Sequence, residues 1–408
     1  MKQFVLAIAL VCAALPLPAQ VLNIHSGNVT VAVPATEAGD IDYASGTSLN
    51  VMGRTYNVAQ IDSITITDGT VTPATVGVAY TGTSARVVVS GDIAAQLTIG
   101  VTGADVSIVA APALTEEVNY VLSGNTADGT FYMDGEYKAT LTLSNLTLTN
   151  KRGGAITIDN GKRIAVVLPE GTATTLVDGA GGTQKACFFV NGHPEFEGSG
   201  QLILTGNKKH AFASDEYTLL KKSFGTLTVK GAVGDGMHVE QYFQMNGGTV
   251  NISGTKGDGI DASITKDATD ELNGQVLIQG GSITLDVSAD DVKGIKSDSL
   301  ITISGGTISA TVSGNGSKGI SAGTDLLINQ ASGNATSLVM TVTGTTYMPD
   351  DPELEAKCRG IKVKGNFTFD GGNISISATG KKAKAISVDG NYNYVSGSID
   401  CRVDAANT

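Results

Sequence analysis

Gly234-Asp235-Gly236-Met237, Gly257-Asp258-Gly259-Ile260, Lys293-Gly294-Ile295, Lys318-Gly319-Ile320, Arg359-Gly360-Ile361 and Lys384-Ala385-Ile386 are versions of one phrase. Its apolar residue recurs at intervals of 23, 35, 25, 41 and 25 residues. A second phrase interleaves with it, as Gly247-Gly248-Thr249-Val250, Gly280-Gly281-Ser282-Ile283, Gly305-Gly306-Thr307-Ile308 and Gly371-Gly372-Asn373-Ile374. Self-similarity at this period predicts a solenoid. Each repeat holds short β-branched runs such as Leu300-Ile301-Thr302-Ile303, separated by Gly pairs, and no helical period. About 25 residues for three short strands and three turns is one coil of a parallel β-helix. The two long intervals contain polar insertions, Lys266 to Asn273 and the Pro349- and Pro352-bearing stretch Tyr347 to Lys357.

Alternation assigns the faces. Two residues beyond the apolar position stand Val239, Ala262, Ser297, Ala322, Val363 and Val388, expected inside. One beyond it stand His238, Asp261, Lys296, Ser321, Lys362 and Ser387, expected in solvent. Extended toward the N-terminus, the register puts Ile156 and Ile158 inside, and Phe212, Ala213 and Asp215 near the outer face.

Composition fits this architecture. The chain has 408 residues, 52 of them Gly, no Trp and a net charge of −12. Gly-rich turns and small stacked side chains account for that balance. Lys2, the apolar run Phe4 to Leu15 and the small Ala19 read as a secretory signal, too short to span a bilayer. Without Cys12, three cysteines remain, at 187, 358 and 401, which is no disulfide framework. Cys187 is expected to be a buried small hydrophobe. Residues 20–112 are strand-rich but lack the phrases, and read as a β-rich domain capping an open solenoid end. The expected order is therefore signal peptide 1–19, N-terminal β domain 20–112, parallel β-helix 113–400 and a tail from 401 to 408.

Leu141-Thr142-Leu143-Ser144-Asn145-Leu146, Lys185-Ala186-Cys187, Gly198-Ser199-Gly200, Gly206-Asn207-Lys208-Lys209-His210, Val233-Gly234-Asp235-Gly236 and Gly257-Asp258-Gly259-Ile260 follow one another in that order. In this the chain resembles the secreted bacterial carbohydrate-binding β-helix proteins related to family-9 pectate lyases, over Thr115 to Ser398. The resemblance implies a right-handed parallel β-helix, bound Ca²⁺ and affinity for plant-type polysaccharide such as pectic acid or cellulose. It also implies that lyase activity can be missing despite the fold. Family members often keep the Asp-Gly-Ile phrase through several repeats. Here the acidic column turns basic after Asp258.

Two candidate sites follow. Asp235 and Asp258 share a column, Asp261 adjoins it, and Asp290 and Asp291 enter the next repeat. Carboxylates about 4.8 Å apart repel by roughly 3 kcal/mol at an effective dielectric near 20. Hard oxygen ligands gathered this way suit Ca²⁺. A solvated acidic face neutralised by Lys293 and Lys296 explains the same residues. Lys318, Arg359 and Lys384 form a basic column with Lys362 beside it, able to meet successive carboxylates of a polyuronate. A solvated ladder paired with Asp389 or Glu355 is the plainer account.

Three function classes remain: a non-catalytic binder of acidic polysaccharide, a lyase with Lys293 or Lys296 as base, and a structural surface protein or adhesin. Absence of Trp favours charge over aromatic platforms, although Tyr392 and Tyr394 could stack a sugar. The acidic charge argues against nucleic acid as partner. The expectation is a monomeric, exported bacterial protein that spans no membrane.

Overall fold

The computed structural model describes residues 19–39, 42–44, 47–331, 334–349 and 355–404. The secretory signal therefore lies, except for Ala19, outside the described residues, as does Pro352 of the second insertion. The chain is all-β with long parallel sheets. Its only helical segments among the described residues are the turns Val58–Gln60 and Gly91–Ala94. No described helix is long and apolar enough to cross a membrane.

The repeated phrase forms one twelve-stranded sheet, running from Leu97–Thr102 at one edge to Lys384–Val388 at the other. Every pairing in it is parallel except the first hairpin, Leu97–Thr102 with Asp105–Ala110. Each strand pairs with its counterpart one repeat later. Met237, Ile260, Ile295, Ile320, Ile361 and Ile386 are thus successive register partners. Val239, Ala262, Ser297, Ala322, Val363 and Val388 form the parallel column two residues on. Ile260 through Ile361 are fully buried, whereas Ile386, in the last strand, is partly exposed. Each buried Ile contributes about 1.5–3 kcal/mol. Ser297 is tolerated inside because its hydroxyl donates to the Gly274 carbonyl at 2.5 Å.

The interior column continues toward the N-terminus through Phe212, Phe188, Ile156 and Phe131. Phe212 is therefore inside and not near the outer face. Its ring meets Phe188 at 5.6 Å and Phe196 at 5.4 Å, edge to face. The reason is legible afterwards: His210-Ala211-Phe212 is the repeated phrase with Ala in place of Gly.

That small residue matters. A Cβ on Gly236, Gly294, Gly319 or Gly360 would lie 2.6–2.7 Å from the carbonyl oxygen of its counterpart in the next repeat. Real Cβ atoms do not approach so closely, so a side chain at any of these four positions would force the neighbouring backbone to shift. Ala385 belongs to the edge strand, where no further repeat stands against it. There the methyl of Ala385 meets no later repeat, whereas Ala211 carries its methyl inside the sheet, opposite Gly236.

The other strands of each repeat form two further parallel series. One passes from Arg163–Val167 through His193–Glu197, Thr218–Leu220 and Tyr242–Met245 to Gln275–Ile278. The second passes from Ala173–Val177 through Gln201–Gly206 and Thr226–Ala232 to Thr249–Ile252. The long strands Ala139–Thr149 and Phe367–Ala378 each pair with both series, so the repeats are uneven.

Segment 20–112 joins this stack directly. Strand Thr75–Gly82 pairs in parallel with Val118–Thr126, and Asp105–Ala110 with Thr130–Asp134. At the opposite edge, Tyr392–Val403 pairs with Phe367–Ala378 and runs past residue 400. Cys187 and Cys358 are buried free thiols. Burial pushes the Cys187 thiol far above its ordinary pKa, so it is packing material.

Candidate cation and glycan site

Two neighbouring columns of the twelve-stranded sheet carry the charged chemistry. The residue before each small position is His210, Asp235, Asp258, Lys293, Lys318, Arg359 and then Lys384. The residue after each apolar position is His238, Asp261, Lys296, Ser321, Lys362 and then Ser387. Parallel pairing holds successive members about 4.8 Å apart.

The acidic residues do two jobs. Asp235 Oδ1 accepts the amide of Asp258 at 2.7 Å, and Asp258 Oδ1 accepts the amide of Lys293 at 2.7 Å. Each carboxylate so satisfies a backbone donor of the following repeat. Asp235 Oδ2 lies 3.1 Å from Nδ1 of His210 and of His238. His238 Nδ1 also lies 3.2 Å from Asp261 Oδ2. The two imidazoles stack at 4.5 Å. Lys296 Nζ donates to Asp261 Oδ1 at 2.9 Å and sits 3.2 Å from Asp298. Asp261 is only 6% exposed, unlike the solvent position that alternation implied, because His238, Lys296 and Ser263 cover it.

Protonation follows from these contacts. Burial raises the Asp235 carboxyl, but bonds from His210 and His238 outweigh it and hold the group well below the usual range. Burial opposes the His238 cation, yet Asp235 and Asp261 lift its pKa to about 9. Asp258 goes the other way. Burial is the largest influence; Lys293 partly offsets it, and the charges of Asp235 and Asp261 add to it, leaving the carboxyl raised to about 6. Its Oδ2 accepts no hydrogen bond among the described residues.

The structure brings Asp235, Asp258 and Asp261 together. Asp290 and Asp291 stand one turn away: Asp290 is exposed and accepts the Asn315 amide at 2.7 Å, and Asp291 pairs with Lys318 at 3.0 Å. The basic column forms in the order read from sequence, Lys318, Arg359 and then Lys384. Its heads point differently. Arg359, 7% exposed, donates to the carbonyls of Cys358 at 2.6 Å and Lys382 at 3.3 Å. Lys362 pairs with Asp389. Lys384 is exposed, and so are Lys209 and Lys256, at the turns leading into His210 and Asp258.

Sequence reasoning missed His210 and His238 as partners of the aspartates. The signal was present, since both occupy the charged columns. It also missed a stack on another face, where His193, Tyr217 and Tyr242 lie ring on ring at 4.8 Å. Tyr217 is covered on both faces by its neighbours in this stack. Tyr392 and Tyr394 pack one face on Phe367 and Phe369 at 5.3 and 6.0 Å, closing the end of the core. A cleft of about 560 Å³ lined by Ile24, Arg54, Tyr56 and Ile99 shares no residue with the charged columns.

Among solved structures, the chain is similar to the polysaccharide lyase-like protein from C. thermocellum, studied as a gadolinium derivative. The two are 21% identical with a TM-score of 0.52, over 64% of this chain and 99% of that one. The likeness is one of fold. No curated protein matches the sequence significantly. Residues 103–403 match the family model described as carbohydrate-binding domain-containing protein, and the chain belongs to that family.

Proposed function

We propose that this carbohydrate-binding protein holds an acidic plant-type polysaccharide, such as pectic acid, without cleaving it, and that Ca²⁺ takes part. The observation carrying this is Asp258. It is a half-buried carboxylate with one unengaged oxygen, standing between Asp235 and Lys293 in its column, and burial together with the charges of Asp235 and Asp261 disfavours its charged form. A cation there relieves the repulsion. The protein supplies few of the about six to eight oxygens that Ca²⁺ takes. Asp235 and Asp261 are already committed to imidazoles and Lys296. The remaining ligands would come from a sugar carboxylate and water. Calcium and glycan should then each tighten the other's binding by the same factor. Exposed Lys384, Lys256 and Lys209 would meet further sugar carboxylates.

Binding is preferred over β-elimination because neither candidate base is suited to take a proton. Burial lowers the pKa of Lys296, but Asp261 and Asp298 outweigh it and stabilise the ammonium. Lys293 donates to the Asp291 carbonyl at 2.8 Å. The reading includes a right-handed parallel β-helix, kinship with family-9 pectate lyases and export from a bacterium. It is supported by the parallel repeat-to-repeat pairing, the family match and the Lys2 to Ala19 leader.

Retention on polygalacturonate, with calcium and then with chelator, tests it beside absorbance of unsaturated uronates. Retention should need calcium, weaken as salt rises, and fall at least tenfold in Asp258→Asn, with absorbance flat. Rising absorbance would make the protein a lyase. No retention of any acidic or neutral plant glycan would leave a structural spacer.

A further inference from the structure

The contacts within the His210, Asp235 and His238 cluster cannot all be hydrogen bonds at once. Its three ligand atoms lie within 4.8 Å of one another. The Asp235 amide donates to His210 Nδ1 at 3.0 Å, which requires a lone pair on that nitrogen. Asp235 Oδ2 lies 3.1 Å from the same nitrogen, which would require a proton there instead. His238 Nδ1 has one hydrogen at most and must share it between Asp235 Oδ2 at 3.1 Å and Asp261 Oδ2 at 3.2 Å. His210 Nε2 is buried and has no partner, so nothing on that side of the ring, which is 5% exposed, fixes its tautomer.

We propose that His210, Asp235 and His238, with Asp261 as a fourth ligand, bind a divalent metal ion of the zinc type. A cation among these atoms would offset the opposed lone pairs of nitrogen and oxygen, with the imidazoles, now 11° from parallel, tilting to present Nδ1 to it. Donors bonded to Zn²⁺ at about 2.0–2.1 Å in a tetrahedron stand about 3.3 Å apart. Asp235 lies 3.1 Å from each imidazole nitrogen, the three ligand atoms all fall within 4.8 Å of one another, and Asp261 reaches the group through His238 at 3.2 Å, so binding would draw it inward. Two imidazoles favour zinc over calcium, which takes oxygen. The outer oxygens are already oriented: Asp235 Oδ1 by the Asp258 amide, and Asp261 Oδ1 by Lys296. The ligands come from three successive repeats, so the ion would tie them together. On binding, zinc replaces any proton on His238 Nδ1 and releases it to buffer.

The test uses the full chain without an affinity tag, stripped with chelator and supplied with Zn²⁺ alone, with no glycan present. One equivalent should survive gel filtration in millimolar Ca²⁺ and raise the melting temperature. Co²⁺ in its place should give the strong visible bands of a four-coordinate site. His238→Gln and His210→Gln should each lose at least tenfold in zinc affinity, while His193→Gln keeps it. Substoichiometric metal in the wild type, or the weak bands of octahedral cobalt, would overturn the proposal even if a histidine variant failed to fold. Zinc binding unchanged in both His210→Gln and His238→Gln would do the same. Loss of polygalacturonate retention would leave this result untouched.

Discussion

Single residues in this protein carry more than one requirement, and Asp178 shows how they compete. It is 2% exposed. Its carboxylate accepts the amide of Asn207 and, at 3.0 Å, Nε2 of Gln184. Burial raises its pKa, and those bonds only partly offset the shift. Gln184 Oε1, on the same side chain, is buried without a partner. An amide in place of the carboxylate would remove the buried charge. Gln184 could then turn its oxygen to accept from the new NH₂, giving up its Nε2 bond to the Gly179 carbonyl at 2.9 Å. Asp178→Asn should therefore raise the melting temperature at pH 7, by about 1–3 °C. The sign with pH follows from the raised value. A carboxyl that binds its proton more tightly when folded loses stability as pH rises above its unfolded pKa, near 4. The advantage of the variant should be full at neutral pH and vanish near pH 4. Melting curves of both proteins across that range decide the matter; a constant difference would assign the effect to packing.

At the scale of the strand, the repeated phrase is a packing rule. Gly319 leaves room for the Gly360 carbonyl, which a Cβ would approach to 2.7 Å. Gly319→Ala should cost about 1–3 kcal/mol by overpacking. Ala385→Gly, on the edge strand, should cost at most about 1 kcal/mol from backbone entropy. Urea titrations of the two variants should differ accordingly. Ile320 is fully buried between Ile295 and Ile361. Ile320→Asp should unfold the protein or strongly destabilise it, seen by circular dichroism. The sequence revealed this register because β-branched residues and glycine recur at matching positions of successive repeats. It concealed Phe212 because Ala211 replaces the glycine that marks the phrase. It also concealed the role of the charges. Spacing places Asp235, Asp258 and Arg359 in columns, but not which way each head turns. Arg359 turns inward to two carbonyls, and Asp235 turns to two histidines whose positions only the three-dimensional register discloses.

On the scale of the whole molecule, a parallel stack must end somewhere, and its two ends differ. At the first, segment 20–112 supplies Thr75–Gly82 to pair with Val118–Thr126 and Asp105–Ala110 to pair with Thr130–Asp134. Both strands belong to hairpins, with Ser84–Ser90 and Leu97–Thr102. Their far edges therefore turn antiparallel instead of offering another parallel seat. At the other end, Tyr392, Tyr394 and Val395 are half exposed on a strand of twelve residues. An uncovered strand edge is a template for another chain. Removing residues 20–112 should therefore expose the edges of Val118–Thr126 and Thr130–Asp134 together with the apolar layer behind them. Tyr120, Leu122, Phe131 and Met133 in that layer are wholly buried in the intact protein. A chain beginning at Ala113 should keep strand-rich circular dichroism but self-associate through this new edge. Size-exclusion chromatography with light scattering would show higher oligomers in the truncated form and not in the full chain. A truncated protein that stays monomeric with an unchanged melting temperature would mean that the stack closes its own end, and that segment 20–112 does something other than cover it.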